Sequence, residues 1–352
     1  MDFESIVASL VEKISDYRES EISEINTAHV KNWISQFDKR DQVSILYELN
    51  HIFDTYYYSR KSVKAYIKSF LLDPRISAND QKNLSESHFL CIQKYGKSQE
   101  DLLVLVKEIL QEEFGISINE CQHPRFYFYI DDCVFTGNRF RYDIVQWLQQ
   151  NVFIPGTKLI TYHLAQHAQG YNYALQYIRD AAHKSNIDCL FYYHKEINNR
   201  KQANSVPQVM WPLKLSDDDF ISRYYQRVKT RCESNGWQDN CYRTHTFQQD
   251  SLFTSPQARN IVETAFLKAG SRIVFQSANP APSVRPMGFE KLESLGFGSL
   301  FVTYRNISNN CPLALWYGNP NHLEGPLSMW YPLFLRKTQE HNWYTSLEEL
   351  FA

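Results

Sequence analysis

Glycine is in short supply, with 12 in 352 residues, about half the usual ~7%. Each glycine therefore marks a place where the backbone is constrained, and the first 150 residues hold only Gly96, Gly115 and Gly137. Paired cysteine motifs are missing too. The seven cysteines (Cys91, Cys121, Cys133, Cys189, Cys232, Cys241 and Cys311) contain no CxxC, which argues against a disulfide framework and predicts reduced thiols. No apolar run approaches the ~18 residues of a membrane span. The opening MDFESIVASLVEKISDYRESE is acidic and polar where a secretory signal is basic and then apolar. These features predict a soluble, cytoplasmic protein without a membrane partner. An excess of one charge is absent as well: 37 Lys and Arg face 39 Asp and Glu, a net charge of −2. No global basic field exists to hold nucleic acid, so any such contact needs a local patch.

Aromatic residues are abundant, with 23 Tyr, 22 Phe and 7 Trp, which suits a thick core or a buried partner surface. Residues 1–84 read as helical, since Val30, Trp33, Ile34 and Phe37, then Ile45, Leu46, Leu49, Ile52 and Phe53, fall at spacings of three and four. The polar stretch from Asn79 to Ser87 predicts a junction. Beyond it, short apolar runs alternate with amphipathic ones. HFLCIQ (88–93), FYFYI (126–130), KLITYHL (158–164) and CLFYYH (189–194) read as strands. SQEDLLVLVKEILQEEF, ending at Gly115, FRYDIVQWLQQ and the stretch around Tyr173–Ala182 read as helices. This rhythm predicts an α/β fold with a mostly parallel sheet flanked by helices. Residues 85–200 form its core, between a helical N-terminal region (1–84) and a C-terminal α+β cap with the remaining strands (201–352). In that last part ARNIVETAFLKAG predicts a helix ending at Gly270, and RIVFQ and GSLFVTYRN are strand-like.

The informative segment is FYFYIDDCVFTGNR (126–139). An apolar strand delivers Asp131 and Asp132 to its carboxyl end, where ligands bind in open parallel sheets, and a Thr-Gly bend opens the next helix. Unpaired N–H groups at a helix start, with the Thr136 hydroxyl and Gly137, can cradle a phosphate together with Asn138 and Arg139. The two carboxylates can accept hydrogen bonds from vicinal sugar hydroxyls. Asp-Asp after a strand also serves as an ordinary cap or turn, a reading that gives Gly137 no task. Strand, Asp-Asp and Thr-Gly in this order resemble the phosphoribosyl diphosphate signature of type I phosphoribosyltransferases. The resemblance implies that Asp131 and Asp132 contact the ribose hydroxyls and that Phe135 to Arg139 hold the 5′-phosphate. It implies a diphosphate loop after the preceding strand, at Lys94, Tyr95, Gly96, Lys97 and Ser98, and Mg²⁺ carried on the substrate's diphosphate. Solvated loop lysines are the alternative for Lys94 and Lys97. Phe135 stands where that family often keeps a small or acidic residue.

Over residues 30–335 the chain further resembles the phosphoribosyltransferase-like effector domains of bacterial conflict systems, including those encoded beside retron reverse transcriptases. The later stretches RPMGF (285–289), LGFGSL (295–300) and TYRNISNNCPLALW (303–316) share in it. The resemblance implies a toxic antiphage effector that acts on a nucleotide or phosphoribosyl diphosphate. Its partner would be a reverse transcriptase with its RNA–DNA product. The alternative is a catalytically inactive module of the same fold that senses a nucleotide or docks a partner.

Other constellations carry less. His163 and His167 in HLAQH lack the glutamate of a zinc HExxH helix, so no protein metal site is expected. Asp217 to Asp219 suit a helix start. Arg223, Arg227, Lys229 and Arg231 fit a solvated helix face or a local partner surface. No Ser-His-Asp spacing appears around Ser205 or Ser251.

Overall fold

The computed structural model describes residues 2–77, 81–94, 96–118, 124–202, 205–214, 218–239, 241–276 and 283–337. Asn79, Asp80, Tyr95, Cys121 and Asp217, which the sequence reading used, lie outside the described residues. In chain order the elements are α1 (Phe3–Ile14), α2 (Thr27–Ile34), α3 (Gln42–Tyr56), β1 (Tyr57–Tyr58), α4 (Arg60–Leu71), α5 (Pro74–Ser77), α6 (Gln81–Ser85), β2 (Ser87–Phe89), α7 (Ser98–Phe114), β3 (Phe126–Val134), α8 (Asn138–Gln150), β4 (Lys158–His167), α9 (Ala168–Lys184), β5 (Asp188–Ile197), α10 (Asp219–Asn235), α11 (Pro256–Gln276), β6 (Val302–Thr303), β7 (Asn306–Ile307) and α12 (Leu313–Trp316). They group into two compact units, residues 60–199, and residues 1–59 together with 200–352. Helices α4 to α6, whose texture matches the N-terminal helices, thus belong with the sheet.

The 60–199 unit is built on four parallel strands in the order β2-β3-β4-β5. From Leu159 to His167 every residue of β4 is buried, as expected of a central strand covered on both faces. On one face α8 and α9 pack Phe140, Ile144, Trp147, Ala174 and Ile178 against Tyr129 and Leu159. Fully burying side chains of this size contributes ~1.5–3 kcal/mol each. On the other face Phe70 of α4 stacks on Tyr162 at 4.2 Å and meets Phe128 edge-on. Gly115 caps α7 in the left-handed conformation, φ 63°, where its run was expected to stop.

In the other unit, α2 donates from Trp33 Nε1 to the Ala314 carbonyl at 2.8 Å, and Phe37, three residues beyond the end of α2, packs on Phe266 of α11. β1 pairs in parallel with β6, and β6 in antiparallel with β7. Helix α11 corrects two expectations. It continues through Gly270 and RIVFQ to Gln276. Gly270 does not stop it: a Cβ there would lie 2.5 Å from the Pro286 carbonyl oxygen, so the glycine permits a close crossing. The helix buries Ala269, Gly270, Ser271, Ile273 and Val274 in near succession, and a helix covered around most of its girth shows no 3.6-residue period. Its β-branched end therefore reads as a strand.

Candidate functional site

The ladder of β3 does not stop at Ile130. Asp131 pairs with His163, Cys133 with Ala165 and Val134 with Gln166, so Asp131 and Asp132 are strand residues and not the loop residues expected from the end of the apolar run. A buried strand admits a carboxylate when its oxygens find donors. Asp131, 5% exposed, accepts from Gln93 Nε2 at 2.9 Å and from the backbone N–H of Asp132 at 2.8 Å. Asp132 is half-buried and accepts from the N–H of Cys133 at 2.7 Å.

Tyr129, two residues before the pair on β3, and Asp143 of α8 complete this cluster. The Tyr129 hydroxyl stands 3.4 Å from Asp131 Oδ2 and 3.5 Å from Asp143 Oδ2. Burial, then the neighbouring charge of Asp132, raises the Asp131 carboxyl to about 6. Burial, then the charge of Asp131, raises Asp143 to about 7. The Arg139 guanidinium opposes both shifts, and the backbone N–H of Lys94 donates to Asp143. Paired carboxyls whose titration is moved by burial and by each other are a frequent mark of functional sites. Asp143 leaves a trace in the sequence, because it falls in the buried stripe Phe140, Asp143, Ile144, Trp147, Leu148 of α8. An acid at an apolar position of a helical period asks for a partner. Tyr129 and Gln93 leave none.

The two loops expected to bind phosphate converge. A Cβ on Gly96, whose φ is 98°, would lie 3.1 Å from Arg139 Nη1 and 3.5 Å from Gln93 Oε1. Arg139 is exposed at the start of α8, where the first N–H groups of a helix have no intrahelical acceptor. Thr136 and Asn138 are half-buried beside it, and Lys94 and Lys97 are exposed on the other loop. Ser98 points inward: its hydroxyl donates to Gln93 Oε1 at 2.9 Å and accepts from Gln93 Nε2 at 2.8 Å, which supports the side chain that holds Asp131. Gly137 has a structural task that the sequence does not reveal. Its φ is 80°, and a Cβ on it would lie 2.0 Å from the Gly170 carbonyl oxygen. A Cβ on Gly170 would in turn meet the Phe135 carbonyl at 2.0 Å. The bend and the start of α9 fit only as a glycine pair, so an ordinary turn also needs Gly137.

His163 and His167 lie on strand β4, and burial lowers both to about 3, so they are neutral. His167 Nδ1 is 3.2 Å from the Val134 carbonyl, and its ring stacks on Phe135 at 5.0 Å. Neither ring nitrogen of His163 has a hydrogen-bond partner among the described residues. Among the described residues no group of three or more His, Cys, Asp or Glu side chains could hold a metal.

A parallel sheet flanked by helices, with two glycine-bearing loops meeting beside a buried aspartate, defines a phosphoribosyltransferase-like α/β protein. Residues 30–336 match the PRTase-CE family, and the chain belongs to it. No curated protein and no solved structure matches the chain. Among the described residues no helix is long and apolar enough to cross a membrane.

Proposed function

We propose that the protein acts on a ribose 5-phosphate unit, as phosphoribosyl diphosphate or a nucleotide. The observation that supports this best is the approach of Gly96 to the Arg139 guanidinium beside the buried Asp131 carboxyl. In this reading Asp131 and Asp132 accept hydrogen bonds from the ribose hydroxyls. Thr136, Gly137, Asn138 and Arg139 hold the 5′-phosphate, and Lys94, Gly96 and Lys97 face the diphosphate, with Ser98 bracing Gln93. Magnesium bound to the diphosphate supplies charge neutralisation of the leaving group. As the bond from C1 to the diphosphate oxygen breaks, positive charge grows on the ring, and the fixed carboxylates stabilise it. The acceptor's lone pair forms the new bond to C1 and its proton departs to solvent. Phosphate anchoring supplies binding energy remote from the reacting carbon. In the cell we place this activity in the cytoplasm, as a toxic effector of a retron-type antiphage system restrained by a reverse transcriptase with its RNA–DNA product.

A second reading is a nucleotide-sensing or partner-docking module without chemistry. The packing of Phe135 on His167 favours it, because an apolar ring then occupies the place of a reacting side chain. One experiment separates the two: calorimetry of the full chain with phosphoribosyl diphosphate and Mg²⁺, alongside a pyrophosphate-release assay. We expect binding that weakens roughly 10- to 100-fold in the Asp131→Asn, Asp132→Asn double variant and in Arg139→Ala, from loss of ~1.5–3 kcal/mol charge-assisted hydrogen bonds. Release of pyrophosphate supports the enzyme, and binding without release supports the sensor. No binding by the wild type removes the sugar-phosphate site.

A further inference from the structure

Tyr129, Asp131 and Asp143 pose a problem of proton counting. All three are buried, and one hydroxyl faces an oxygen of each carboxyl, at 3.4 and 3.5 Å. A tyrosine has one proton to donate. Were both carboxyls ionised, one would present a lone pair to the phenolic oxygen in a low-dielectric interior, a repulsive contact. The count closes when one carboxyl carries a proton and donates it to the phenolic oxygen.

The surroundings decide which one. Asp131 already has two donors that favour its anion besides Tyr129: Gln93 Nε2 and the Asp132 N–H. Asp143 has the Lys94 N–H. The other charged or titratable groups near the cluster are Asp132, whose charge pushes protons onto Asp131, and Arg139, whose charge acts on all three members. His163, opposite Asp131 on β4, stays neutral throughout the neutral range.

We propose that Asp143 is a positioning residue for Asp131: its carboxylic acid donates to the Tyr129 hydroxyl, which in turn donates to the Asp131 carboxylate. The relay fixes the Tyr129 proton on the Asp131 side, so Asp131 stays anionic and oriented for a hydroxylated ligand. When Asp143 ionises, its carboxylate competes for that single proton and adds negative charge near a phosphorylated ligand. Asp143 lies on α8, whose first turn holds Arg139, so the relay also ties the ribose half of the site to the phosphate half.

The inference rests on the proposed ribose 5-phosphate reading, and its test has an arm independent of that reading. Without ligand, a carboxyl raised by folding contributes stability that is complete below its unfolded pKa near 4 and is lost as pH rises to its folded value. His163 and His167, held neutral by burial, contribute in the opposite direction but equally to wild type and variant, so the melting temperature of the wild type relative to Asp143→Asn should fall from pH 4 to about 7. Asp143→Asn, whose amide N–H can donate to Tyr129 permanently, should melt higher than the wild type at pH 8. With ligand, wild-type affinity for Mg²⁺–phosphoribosyl diphosphate should drop by up to about tenfold per pH unit above 7. Asp143→Asn should lack this drop and bind more tightly than the wild type at pH 8.5, and Tyr129→Phe should bind more weakly at every pH. Identical melting profiles for wild type and Asp143→Asn overturn the relay whether or not ligand binds. Lack of wild-type binding at any pH, with the melting profiles as expected, overturns the ribose reading and the ligand-positioning role while leaving the shared proton in place.

Discussion

At the scale of single residues, the backbone around the site is set by glycines that differ sharply in what they avoid. Gly115 has φ 63° and open space where a Cβ would sit. Gly115→Ala should therefore cost only the left-handed strain, ~1–2 kcal/mol. Gly137 combines a φ of 80° with a backbone oxygen 2.0 Å from its absent Cβ, and Gly170 meets the reverse contact. Alanine at either position must pry the bend from α9, a cost at the far end of the single-substitution range, above ~4 kcal/mol. Urea unfolding of the three variants checks this, and equal midpoint shifts would refute the paired-glycine account. The scarcity of glycine made Gly96, Gly115 and Gly137 legible in the sequence as constrained positions. It could not separate a glycine that admits a ligand from one that admits another backbone, because both requirements select the same residue.

At the scale of elements, what holds the second half of the chain together differs from what holds the sheet. The alternation that revealed β2 to β5 ends near residue 200, since segments 205–214 and 241–253 are irregular and offer no period to read. They are pinned to α11 by buried arginines. Arg259 spends all five of its N–H donors, on Asp250 through two oxygens, on Glu263 Oε1 at 2.9 Å, and on the carbonyls of Pro207 at 2.8 Å and Val209 at 3.0 Å. Arg243 joins the Trp211 carbonyl at 2.8 Å to Glu263 Oε2 at 2.9 Å. A planar fork thus supplies the donors that neighbouring strands supply elsewhere. Arg259→Ala would leave Asp250 and Glu263 as buried charges short of partners, at a cost of ~3–5 kcal/mol. Lys184→Ala, which breaks an exposed i,i+4 pair with Asp180, should cost no more than ~0.5 kcal/mol. Chemical denaturation of both variants makes the comparison, and a small effect of Arg259→Ala would mean that packing alone holds those segments.

At the scale of the whole molecule, one unit is inserted in the sequence of the other. Residues 60–199 are continuous and contain every strand of the parallel sheet, whereas the second unit needs residues 1–59 and 200–352 together. Sequence texture grouped α4 with the helices before it, because amphipathic helices carry no label of the partner they bury against. The pairing of β1 with β6 involves two residues on each strand, Tyr57 with Val302 and Tyr58 with Thr303, too few to form a pattern. Loop-closure entropy grows only with the logarithm of loop length, so carrying an entire folded unit between the two halves adds little to the cost of joining them. The expected consequence is asymmetric. Residues 60–199 expressed alone should melt cooperatively by circular dichroism, since their sheet and the α8–α9 layer come from one continuous segment. Residues 200–352 alone should not, because β6 loses β1 and Phe266 and Ala314 lose Phe37 and Trp33. Adding residues 1–59 as a separate peptide should restore a cooperative transition. Cooperative melting of 200–352 without that peptide would show that the N-terminal helices decorate this unit and do not complete it.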